Sequence, residues 1–139
     1  MFEVGHKYLR RELHDKYGGN RQGGISPSRS QPIILLFLSG RGAEFGYKDE
    51  WKGNILHFYG EGQSGDMKMV RGNAAVKDHE ANGKELHLFE ERGGGYVEYR
   101  GQMKYAGMEE RRGHDVSGRL GIASYSIWLQ STRPLRSIF

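Results

Sequence analysis

Tyr47, Asp49, Glu50, Trp51 and Phe58 bring aromatic rings and adjacent carboxylates into one short span. Aromatic faces stack on flat ligands, and carboxylates accept hydrogen bonds from exocyclic amines. Glycines crowd the residues that follow, at Gly60, Gly62, Gly65 and Gly72, and let backbone come close to a ligand. Asp49 and Glu50 are neighbours, so on a strand they face opposite sides and cannot act as a shared acid–base pair. One can enter a pocket while the other stays in water. Tyr47, Trp51 and Phe58 also suit a hydrophobic core, and that reading stands beside the ligand-binding one.

Other constellations lack the context their chemistry needs. Gly60-x-Gly62-x-x-Gly65 matches the dinucleotide fingerprint and follows a predicted strand. Another glycine, Gly72, soon interrupts the chain where a long crossover helix should run, so no nicotinamide or flavin is expected. His57, His79 and His87 have no helical i,i+4 partner across a carboxylate. His114-Asp115 is an isolated pair. No metal and no other cofactor is expected, and the ordered histidines of an HNH nuclease are not assembled. With no cysteine, disulfides and thiolate-held zinc are excluded.

The chain has 139 residues, a one-domain length, and a net charge of +4, which permits a polyanionic partner without requiring one. Basic residues cluster at Lys7, Arg10, Arg11, Lys16, Arg21 and Arg29, and again from Arg111 to Arg136, whereas acidic residues gather in the middle. Such a distribution fits phosphate contacts flanking a polar pocket, and equally a solubilising surface. The longest apolar run, Pro32 to Leu38, is strand-sized, and the N-terminus lacks a secretory pattern. A cytoplasmic location without membrane attachment is expected.

The elements that must position these residues read as mostly β. His6 to Tyr17 has helical spacing and stops at Gly18-Gly19; Asn20 to Gln31 reads as a Gly/Ser/Arg loop. Pro32–Leu38 reads as a buried central strand. Asn54–Tyr59 alternates, with Leu56 and Phe58 on one face and Ile55, His57 and Tyr59 on the other. Asn73 to Ala81 reads as a short helix with Asn73 as its cap and Gly83 past its end. Glu85–Glu90 and Tyr96–Arg100 read as a hairpin turned at Gly93-Gly94-Gly95, continuing from Gln102 to Tyr105 past a bend at Gly101. Ile122–Leu129 reads as a closing strand. The expected class is α+β, mainly β: a strongly curved sheet or open barrel with short flanking helices, in one domain over 1–139. The segment 120–139 is either the closing strand or an aberrant extension.

The runs Tyr17-Gly18-Gly19-Asn20-Arg21-Gln22-Gly23-Gly24-Ile25-Ser26, Tyr59-Gly60-Glu61-Gly62-Gln63-Ser64-Gly65-Asp66, Arg71-Gly72-Asn73 and His87-Leu88-Phe89-Glu90 resemble the SRA (SET- and RING-associated, YDG) domains. More closely, they resemble the SRA-like modules of bacterial modification-dependent HNH restriction endonucleases. The resemblance covers about residues 3–108. It implies a PUA-like fold that binds double-stranded DNA carrying modified cytosine, such as 5-methylcytosine, by flipping the base into a pocket. Tyr47 and Phe58 match the two aromatic positions that sandwich the base. Asp49, with Glu50 close behind, matches the acidic residue on the cytosine edge. Tyr59 stands where threonine is usual, which alters the pocket. Arg21, Gln22, Ser26, Ser28 and Arg29, and Lys68, Arg71 and Asn73, match the DNA-contacting loops. The implied role is recognition within a restriction system, not catalysis, with any nuclease fused or separate. An RNA-binding PUA-like module and a small β-rich hydrolase using Asp49, Glu50 or His57 are the alternatives.

Overall fold

The computed structural model describes residues 2–21, 23–38, 50–59, 71–114 and 120–132. Their elements are β1 (Lys7–Leu9), α1 (Arg10–Tyr17), β2 (Ile25–Pro27), β3 (Ile33–Leu38), β4 (Glu50–Lys52), β5 (Ile55–Tyr59), α2 (Arg71–Lys77), β6 (Glu85–Gly93), β7 (Tyr96–His114) and β8 (Leu120–Ser131). One sheet runs in the order β2-β3-β6-β7-β8-β5-β4, with β1 also pairing β7. It is mainly antiparallel; β3 and β6 pair in parallel.

The apolar run of β3 is explained by two cores, one on each face. Ile34, Leu36 and Leu38 join Leu56, Phe58, Leu86, Leu88, Met103, Ile127 and Leu129 under Val76 of α2. Ile33, Leu35 and Phe37 join Phe89, Val97 and Tyr99 under Leu13 and Tyr17 of α1. A strand covered on both faces has no polar side to show, so its period-2 pattern vanishes. All six β3 residues are buried, and each large apolar side chain so placed contributes about 1.5–3 kcal/mol.

A β-bulge moves β7 from one core to the other. Leu88 pairs with Gly101 but Phe89 with Tyr99, leaving Arg100 as the extra residue. Tyr99 therefore faces the α1 core and Met103 the α2 core, although an even separation would put them on one face. Gly101, at φ 127, absorbs the kink. Beyond it β7 runs on to His114, well past the Tyr105 limit read from sequence, through a second register shift between Tyr105 and Gly107. The turn at Gly93-Gly94-Gly95 is as expected, with φ of 86, 62 and 80. The hairpin's opposed carboxylates Glu90 and Glu98 are bridged by Arg92 and Arg100 at 3.1–3.7 Å.

Three expectations need correction. The predicted helix at His6 begins only at Arg10: Lys7, Tyr8 and Leu9 pair with Glu98, Val97 and Tyr96. That partner strand lies far along the chain, and its hydrogen bonds override the local helical spacing. The Asn20–Gln31 loop contains β2, whose Ile25, Ser26 and Pro27 pair with Leu36, Leu35 and Ile34. Asn73 is no cap: α2 starts at Arg71, Asn73 is buried within it, and turns lead to Gly83 at φ 66. The expected last strand is present as β8 in a sheet that is not closed. It lies inside the sheet between β7 and β5, which makes 120–131 an integral part of the fold.

Candidate nucleic-acid interface

The segment between α1 and β3 is held by Arg10. Its Nη2 donates to the carbonyls of Gly23 (2.7 Å) and Asn20 (3.3 Å), and its guanidinium lies 3.8 Å over the Phe37 ring. Its Nε donates to His14 Nε2 at 3.0 Å, and Nη1 is 3.5 Å from Glu91. Because His14 Nε2 accepts, the ring is neutral and its Nδ1–H donates to the Gly18 carbonyl at 2.9 Å. Burial lowers the His14 pKa, the Gly18 bond opposes this, and the charges of Arg10 and Arg21 lower it further. Burial also lowers the Arg10 pKa, against the attraction of Glu91.

Glycines let the same segment pass close to its neighbours. Gly18, at φ 75, ends α1, and its N–H donates to the His14 carbonyl. Gly19, at φ 89, leaves no room for a β-carbon beside Ser26 Oγ and the Pro27 carbonyl. Gly24 accepts from the Phe37 N–H at 2.8 Å, and a β-carbon there would stand 3.5 Å from the Phe58 ring. The segment is thus pressed between Arg10 and Phe37 on one side and Phe58 on the other.

The candidate contact residues occupy different settings. Arg21 is exposed and pairs with Asp15 at 2.7 Å. Arg29 is exposed, and its N–H donates to the Tyr17 carbonyl. Ser28 Oγ donates to that carbonyl at 2.6 Å and accepts from the Ser30 and Gln31 N–H groups, so its hydroxyl is committed to the turn. Ser26 is fully buried, and its Oγ has no hydrogen-bond partner among the described residues. Arg71 is exposed at φ 50, whereas Asn73 is buried. Phe58 lies 3% exposed in the α2-side core, so at most one edge of its ring is open to a ligand. Glu50 is exposed opposite His57 on the edge strand, beside Trp51 at 42% exposure. Tyr47, Asp49, Gln22 and Lys68 lie outside the described residues, and Tyr59 is described only in its backbone, paired with Ser126.

Two of the histidines considered as possible ligands, His79 and His87, serve structure. His79 Nδ1–H donates to the Lys84 carbonyl at 2.7 Å while Nε2 accepts the Tyr105 N–H at 3.1 Å, which satisfies the backbone next to a β7 register shift. His87 sits between the Tyr99 hydroxyl (2.7 Å) and Glu85 (3.0 Å). Burial lowers its pKa and Glu85 opposes the shift. Among the described residues no group of three His, Asp or Glu could hold a metal, and no helix is long and apolar enough to cross a membrane. Sequence reasoning missed the role of Arg10. The only local hint is the four-residue step to His14 on one helix face.

Comparison with solved structures shows the same fold in three structures, two of them DNA complexes. The sulfur-binding and SRA domains of ScoMcrA with phosphorothioated DNA match at TM-score 0.72 and 20% identity, over 96% of this chain and 41% of that one. The phosphorothioation-dependent restriction endonuclease ScoMcrA matches at 0.71 and 19%, over 99% and 26%. The SRA domain of SUVH5 with hemimethylated CG DNA matches at 0.69 and 21%, over 99% and 94%. The chain therefore spans less than half of the ScoMcrA chains but nearly all of the SUVH5 domain. Among curated proteins none matches. The model of the "ScoMcrA-like, SRA domain" family matches residues 4–128, extending past the 3–108 read from sequence into β8, and on that match the chain belongs to the ScoMcrA-like SRA domain family.

Proposed function

We propose that this domain binds double-stranded DNA carrying a modified cytosine and serves as the recognition part of a modification-dependent restriction system. The observation that carries this reading is the family match over residues 4–128. The fold shared with an SRA domain solved on methylated CG DNA supports it. The base is flipped into a pocket walled by Tyr47 and Phe58, with Asp49, or Glu50 beside it, on the cytosine edge and Tyr59 limiting its size. Flipping costs a few kcal/mol, and stacking returns about 1–3 kcal/mol per base. Arg21, Gln22, Arg29, Lys68 and Arg71 reach the DNA from the flanking segments. Ser26, Ser28 and Asn73 shape those segments from beneath. The domain itself performs no cleavage; a nuclease is fused to it or separate.

Affinity is measured for one duplex in plain, 5-methylcytosine, 5-hydroxymethylcytosine and phosphorothioate forms, and for RNA of the same sequence. A modified-cytosine duplex is expected to bind most tightly. Tyr47→Ala and Asp49→Ala are each expected to lower the preference by about 1–3 kcal/mol while sparing weak binding to plain DNA. Equal affinity for every duplex refutes the reading. Preference for phosphorothioate alone moves recognition from base to backbone, and preference for RNA replaces the partner.

A further inference from the structure

A cleft of about 590 Å³ opens between α1 and the β6–β7 turn, lined by Arg10, Arg11, His14, Arg21, Gly95 and Tyr96, among others. The Arg10 N–H donates to the Gly95 carbonyl at 2.9 Å, which fixes the turn against the helix and sets the width of the opening. Arg10 is half-buried and His14 buried, and both are committed to each other and to backbone carbonyls, so they form the floor. The walls are exposed: Arg11, Arg21 and the Tyr96 ring, the last at 46% exposure.

The charge of this cleft is unbalanced. Arg10 has Glu91 and Arg21 has Asp15, but Arg11 is in no salt bridge among the described residues. The Arg21–Asp15 pair is more than half exposed on both sides, and such a pair holds by at most about 1 kcal/mol. An incoming anion can therefore take Arg21 over at little cost. His14 registers the positive field: after burial and the opposing Gly18 bond, Arg10 and Arg21 lower its pKa. Two exposed guanidinium forks around an open aromatic wall match a phosphate ester better than a carboxylate or a neutral ligand. Each fork can bond two phosphate oxygens, and the ring can pack against the attached sugar or base.

We infer that this cleft is a phosphate-ester site in which Arg11 and Arg21 hold the anion and Tyr96 packs against what it carries. The phosphate has two sources, the backbone of a bound duplex or a free nucleotide. The site uses none of the residues assigned to the base pocket. Only its duplex source rests on the DNA-binding reading above.

The test follows arginine Nε and Tyr96 ring resonances during titration with inorganic phosphate, thymidine monophosphate and the plain and modified duplexes. Affinities of Arg11→Ala and Arg11→Lys are measured over a range of salt. Arg11 is exposed, so both variants are expected to keep the wild-type melting temperature. If the source is the duplex, Arg11→Ala weakens plain and modified DNA alike by about tenfold near 0.1 M salt and reduces the log–log salt slope by about one, whereas Arg11→Lys keeps the slope. If the source is a free nucleotide, thymidine monophosphate shifts both sets of resonances in wild type only, and duplex affinity is unchanged. The inference is overturned if no probe shifts these resonances, or if Arg11→Ala removes only the preference for modified DNA. A wild-type protein that ignores modification, yet still loses duplex affinity on Arg11→Ala, refutes the reading of modified cytosine and leaves this site standing.

Discussion

His14 and His87 show how burial fixes a proton. Each has one ring nitrogen accepting, from Arg10 Nε–H and from the Tyr99 hydroxyl, and each is held neutral. Burial lowers both pKa values from 6.5. Above pH 6.5 neither folded nor unfolded chain binds a proton there, and the contribution to stability is complete. As pH falls below 6.5 the unfolded chain takes up protons first, so stability drops until the folded pKa values are reached. Urea unfolding between pH 7.5 and 5 is expected to show this decline, and His14→Gln and His87→Gln to flatten it. An unchanged midpoint over that range contradicts the neutral assignment. At the same scale the sequence was least informative. Arg10 could be counted among basic residues, but its partners are backbone oxygens ten and thirteen positions on. No residue type announces a carbonyl.

Elements were legible where their pattern was local. The alternation of Asn54–Tyr59 set Leu56 and Phe58 apart on one face without saying which face is inward; it is theirs that enters the core. Three consecutive glycines gave the β6–β7 turn, since a chain at positive φ needs them. The three-residue strands β1 and β2 were invisible, because they hold only through partners elsewhere in the sequence. The tight passage from α1 into β2 can be tested at its narrowest point. Gly19→Ala combines positive φ with a β-carbon 2.9 Å from the Pro27 carbonyl and against Ser26 Oγ. Gly53→Ala has positive φ, at 64, but nothing within 4 Å. Left-handed backbone alone costs about 1–2 kcal/mol, so chemical denaturation is expected to show that loss for Gly53→Ala. For Gly19→Ala the crowding adds about 1–3 kcal/mol. Equal losses would mean that the Ser26 side yields freely.

At the scale of the whole molecule, the mainly β class and curved-sheet family were readable, but strand order was not. Composition and periodicity identify strands without saying which lie side by side. Family resemblance supplied the architecture, and the candidate pocket residues with it. Strand order also governs when the molecule can become complete. The hairpin bearing Glu50, Trp51 and Phe58 reaches the rest of the sheet through β8, pairing from Ile55↔Gln130 to Tyr59↔Ser126. During translation that hairpin is made well before β8 and waits for that strand before it can dock. The parallel and antiparallel pairs around β3, β6 and the start of β7 need no such delay. A chain ended at His114 is expected to leave the β5 amides open to hydrogen exchange while β3 keeps the greater protection; equal protection would deny β8 this part. DNA recognition by the nascent domain would then be withheld until β8 has been made, a safeguard written into connectivity alone.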